Sequence, residues 1–115
     1  MNLKKLLVLA VLIGFVLTSA FAQSAKPRVG QYLFENVNAR HWVEIIDEGD
    51  DRYQIQIVST NRGLNNGLRI SNAYWRPGSG AIEFTYNGQT VQIRSVSGGR
   101  SITCTLFGSS VLSRM

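Results

Sequence analysis

Asn87-Gly88, set between Ile82-Glu83-Phe84-Thr85-Tyr86 and Gln89-Thr90-Val91-Gln92-Ile93, constrains this chain more than any other feature. A two-residue type I′ hairpin needs positive φ at both central positions, and Asn-Gly is the dipeptide that supplies it most readily. With that turn, Tyr86 faces Gln89, Phe84 faces Val91 and Ile82 faces Ile93, while Thr85 meets Thr90 and Glu83 meets Gln92. One face of the ribbon is apolar and the other polar, as a half-buried antiparallel sheet requires. Gly98-Gly99 reads as a second tight turn, placing Ser95 opposite Ile102, Ile93 opposite Cys104 and Val91 opposite Leu106. Both turns assign the same core face, so three strands are fixed in register by counting alone.

Period-two patterning extends back through the chain, and no stretch beyond residue 27 carries the 3.6-residue period of an amphipathic helix. The predicted strands are Gly30–Asn36, His41–Asp47, Arg52–Ser59, Leu68–Trp75, Ala81–Tyr86, Thr90–Ser97 and Arg100–Phe107, with Gly, Asn, Pro and Asp in the gaps. The segment Val43-Glu44-Ile45 to Ser59 aligns with Ile82-Glu83-Phe84 to Ser97 as a diverged copy with a longer turn, which puts Val43, Ile45, Tyr53, Ile55 and Ile57 on the inside. Leu68, Ile70 and Tyr74 continue that inner face. The expectation is an all-β fold, an antiparallel meander of six to seven strands that closes most simply into a compact barrel and so removes its exposed edges. A flat sheet paired across a homodimer is the alternative. The tail from Ser109 to Met115 reads as frayed.

The first 22 residues differ in kind. Lys4-Lys5 precede an apolar run from Leu6 to Leu17, and Ala20-Phe21-Ala22 follows. Positive start, apolar centre and small-residue exit form a secretory signal peptide, with the expected cut between Ala22 and Gln23. The apolar run is short for a membrane span and no second one follows. The reading is therefore a leader (1–22) and one small all-β domain (23–115), exported to the periplasm or secreted, without stable membrane insertion after cleavage. A domain of that size buries only somewhat over 60% of its unfolded surface. Exported domains often offset this with disulfides, but Cys104 is the only cysteine. It reads as a small buried residue, with an intermolecular bridge as the alternative.

Without Lys4 and Lys5, ten basic residues oppose seven acidic ones, and nine of the ten are Arg. They are scattered rather than clustered, which argues against a nucleic-acid interface. His41 is the sole histidine. Glu44 points to the opposite face from it, and Asp47 lies roughly 20 Å along the strand, so neither completes a metal or catalytic set. Asp47-Glu48-Gly49-Asp50-Asp51 lacks the alternating ligands of a calcium loop and reads as a solvated hairpin tip. Gly78-Ser79-Gly80 precedes a strand, so the helix-terminus mode of phosphate binding does not apply. The expectation is a non-enzymatic protein with no cofactor or metal.

Two surfaces stand out as candidate binding sites. If Val43 and Ile45 face inward, Trp42, Glu44 and Ile46 face outward beside Gln54, Gln56 and Val58, and the strand phase puts Trp75 outside too. Large apolar groups on an outer face suggest a contact surface or a homodimer, unless Tyr32-Leu33-Phe34 folds across them. The polar stretch Thr60–Gly67 is a candidate recognition loop.

The second surface is the turn at Gly98-Gly99. The stretch from Ile82 to Ser101 resembles the core of bacterial periplasmic inhibitors of C-type lysozyme, small exported β-barrels whose S-x-S-G-x-R/K-Y loop enters the lysozyme cleft. Ser95, Ser97, Gly98 and Arg100 match that loop, while Ser101 stands where the family has Tyr. The family's usual disulfide is missing, and Leu106-Phe107-Gly108 stands in place of its W-x-K-G segment. The resemblance implies that Ser97 and Arg100 address the acidic groups of the lysozyme cleft, Arg100 through charge-assisted bonds. The partner expected is thus a protein, either lysozyme or a second copy of this chain.

Overall fold

The computed structural model describes residues 25–60 and 63–115, so the expected leader lies outside the described residues. Eight antiparallel strands, each hydrogen-bonded to the next, close into a barrel: β1 (Gly30–Glu35), β2 (Arg40–Gly49), β3 (Arg52–Ser59), β4 (Leu64–Arg76), β5 (Ala81–Tyr86), β6 (Gln89–Val96), β7 (Ser101–Cys104) and β8 (Val111–Arg114). Eight strands enclose an interior just wide enough for side chains. Tyr32, Val43, Ile45, Ile55, Ile57, Ile82, Ile93, Ile102, Cys104 and Leu112 fill it, each essentially inaccessible to solvent.

The β5–β6 hairpin has the register counted from the sequence, from Tyr86 opposite Gln89 to Ile82 opposite Ile93. Asn87 and Gly88 take φ of 52° and 76°. On its polar face Gln92 Nε2 donates to Glu83 Oε2 at 2.7 Å. The β6–β7 pairing also follows, with Ser95 opposite Ile102 and Ile93 opposite Cys104. It stops there, because Thr105–Phe107 forms a 3₁₀ turn instead of extending the strand, and Val91 never meets Leu106. In β2 and β3 the inner residues Val43, Ile45, Tyr53, Ile55 and Ile57 are all buried.

Three further expectations are corrected. The tail is not frayed. Leu112 points into the core, Val111–Arg114 pairs with β7 on one side and with β1 on the other, and this eighth strand closes the barrel. Trp75 is not on the outside. Between Tyr53–Ala73 and Ile55–Ile70, two steps along β3 answer three along β4, so β4 carries an extra residue and its faces exchange. Leu68 and Ile70 face the core before this bulge, and Ala73 and Trp75 face it after, leaving Tyr74 exposed. Lastly, β1 does not fold over Trp42. It lies beside β2 with Leu33 opposite Trp42, and Tyr32 points inward.

One barrel end is plugged by His41, stacked between Phe34 (centroids 5.5 Å apart) and Phe107 (4.1 Å), its Nδ1 2.8 Å from Ser59 Oγ. The other end gathers the starts of β1, β3, β5 and β7 and the ends of β2, β4, β6 and β8. The candidate site is at this second end.

Candidate functional site

The β6–β7 turn passes through three successive residues with positive φ: Ser97 at 53°, Gly98 at 68° and Gly99 at 90°. Gly98 is the exposed tip. Gly99 is buried beneath the Arg28 side chain; its φ of 90° favours glycine, and a Cβ there would lie 2.8 Å from Arg28 Nε and push that side chain aside. Arg28 is anchored from below, because the Tyr32 hydroxyl donates to its carbonyl at 2.7 Å. Burial pushes the Tyr32 phenol above its ordinary pKa, and the positive charges of Arg114 and Arg28 partly oppose the shift.

Arg114 arrives from the closing strand. Its backbone N–H donates to the Arg100 carbonyl at 2.9 Å, and its Nη2 donates to the Val29 carbonyl at 3.0 Å. Gly30 leaves room for it, since a Cβ there would come within 3.2 Å of Arg114 Nε. Arg28, Arg100 and Arg114 line one open depression of about 620 Å³ with Ser97, Ser101 and Ser113. Among the described residues none of the three guanidiniums has a carboxylate within ion-pair distance. The ion pairs among the described residues are Lys26–Asp51, at the β2–β3 tip of the same barrel end, and Arg40–Glu35 at the opposite end.

Chemically, this mouth offers fixed positive charge, planar donor forks and hydroxyls. Its lining contains no His, Asp, Glu, Lys or Cys, so it supplies no general base to activate a serine. Among the described residues, no group of three or more His, Cys, Asp or Glu could hold a metal ion. The arrangement suits capture of carboxylate or phosphate oxygens.

Of the residues singled out in the sequence, Ser97 and Arg100 line this depression, and Gly98 forms the adjoining tip. Trp42 and Ile46 are elsewhere, half-buried on the outer face of β2, opposite Val58 and Gln54 of β3. Four residues of strand separate them, about 13 Å. Trp75 belongs to the core and to no surface. The sequence reading missed Arg28 and Arg114. The signal that locates Arg114 is the short alternation Val111-Leu112-Ser113-Arg114, whose inward Leu112 marks a strand. Arg28 has no local signal, since it reaches the site only because β1 and β8 are neighbours. No family model matches this chain, and neither the curated proteins nor the solved structures provide a match.

Proposed function

We propose that this protein is an exported, non-enzymatic binding barrel that captures acidic groups of a partner protein at its arginine mouth. C-type lysozyme is the specific partner, as the resemblance around Ser97, Gly98 and Arg100 implies. The observation that carries this reading is the convergence of Arg28, Arg100 and Arg114 on one depression without a carboxylate among the described residues to neutralise them. Such a cluster is electrostatically incomplete, and an anionic partner offsets the concentrated charge. Bidentate geometry makes Arg the better residue for gripping carboxylates.

The test is lysozyme turnover in the presence of the purified protein, beside an Arg100→Ala variant of unchanged melting temperature. The expected result is inhibition by the parent, weakened about tenfold or more in the variant, as fits loss of a charge-assisted hydrogen bond. Weakening as salt rises from low to physiological strength is expected too. Full lysozyme activity at micromolar protein removes lysozyme as the partner.

A further inference from the structure

The outer face carries a second candidate site, of different chemical character. Trp42 of β2 pairs with Val58 of β3, and depressions of about 470 Å³ and 240 Å³ open on either side of this pair, both lined by Trp42 and Val58. The β4 wall is irregular at this point. Ile57 pairs with Leu68 and Ser59 with Leu64, so Val58 alone is answered by Asn65, Asn66 and Gly67, two residues more than a regular ladder allows. Such a bulge re-aims side chains and is enriched beside functional sites. Here it delivers Asn65 to the larger depression and Asn66 to the smaller, where Gln56 also faces.

These three amides make no side-chain hydrogen bond among the described residues, so their donors and acceptors are open to a ligand. Of the flanking arginines, Arg40 has a carboxylate beside it. Arg40 Nε lies 3.3 Å from Glu35 Oε2. With the Gln54 amide turned so that both its atoms find partners, Arg69 Nε donates to its oxygen at 3.2 Å and its nitrogen donates to Glu48 Oε1 at 3.2 Å. A half-buried indole beside free amides selects a polyhydroxylated ligand with an apolar ring face. An apolar chain would leave the amides unsatisfied.

We propose that the two depressions flanking Trp42 bind an oligosaccharide. The axial C–H face of one pyranose ring lies on the indole, and hydroxyls of the chain bond to Asn65 in the larger depression and to Asn66 and Gln56 in the smaller. The site is independent of the arginine mouth, so the two readings fail separately.

The experiment titrates the full protein with N,N′,N″-triacetylchitotriose and, separately, maltotriose. Binding is read by tryptophan fluorescence and by the indole N–H resonances in NMR. The expected result is a saturable response to at least one trisaccharide, with the Trp42 resonance shifted and the core Trp75 resonance unmoved. Trp42→Ala should abolish it, and Asn65→Ala or Asn66→Ala should weaken it about threefold to tenfold, the loss of one hydrogen bond. Arg100→Ala should leave it unchanged. No saturable response to either sugar at about 10 mM, where a site of millimolar affinity would be mostly occupied, overturns the proposal. So does an undiminished response in folded Trp42→Ala. Sedimentation as a dimer that becomes monomeric on joint Trp42→Ser and Ile46→Ser substitution also overturns it, since the groove is then covered by a second copy.

Discussion

At the scale of single residues, Cys104 and Gly99 show how burial and backbone conformation make ordinary side chains consequential. Burial pushes the Cys104 thiol up to about 11 from its ordinary 9.0. The neutral thiol is the form the core accepts, so its contribution is complete below pH 9 and is lost as pH climbs through 9 towards about 11. A two-unit shift corresponds to about 3 kcal/mol. Melting temperature should fall steeply over that interval, and Cys104→Ala should flatten the fall between pH 9 and 10. Tyr32 and Tyr53, also raised by burial, add their losses above pH 10, their ordinary value. Thiol reagents at neutral pH should leave native Cys104 unmodified. Gly99→Ala is expected to cost about 1–2 kcal/mol through its φ of 90°. It should also displace Arg28, so the anion capture proposed for the mouth weakens while circular dichroism still reports the barrel.

At the scale of elements, β4 separates the two tryptophans, which sequence alone treats as equivalent. The bulge between Ile70 and Ala73 turns Trp75 into the core, whereas Trp42 stays on the outer face. Trp75→Ala should therefore cost about 3–5 kcal/mol, and Trp42→Ala about 1 kcal/mol or less, the worth of a cross-strand pair. Urea denaturation of both variants reads the contrast directly. The elements that were legible beforehand share one property, a turn whose chemistry fixes register. Asn87-Gly88 set β5 against β6 to the residue, and Gly98-Gly99 set β6 against β7 as far as Cys104. The phase of β4 was not legible, because a bulge in a polar Ser71-Asn72 step leaves no periodic mark. Strand β8 was missed because four residues with one inward Leu are too short a pattern to stand out. The candidate site inherited this limit: Ser97 and Arg100 were visible within one hairpin, whereas Arg28 and Arg114 are brought there by closure across the whole chain.

At the scale of the whole molecule, closure depends on a narrow seam. Between β1 and β8 the ladder pairs only Tyr32 with Arg114 and Leu33 with Ser113, supplemented by the Met115 N–H donating to the Gln31 carbonyl at 2.9 Å. Removing residues 109–115 should expose the edges of β1 and β7, uncover the Leu112 cavity and produce an aggregation-prone sheet, measurable as loss of the monomer peak in size-exclusion chromatography. It should also dismantle the arginine mouth, since Arg114 and Ser113 leave together. The hairpins between are local and quick to form, whereas this seam joins residues about as far apart as the domain allows, as the Arg114–Val29 hydrogen bond spanning 85 positions illustrates. A chain emerging N-terminus first, whether from a ribosome or through a narrow pore, thus carries an open sheet until residues 111–114 arrive. The barrel snaps shut, and its arginine mouth comes into existence, in the same late step.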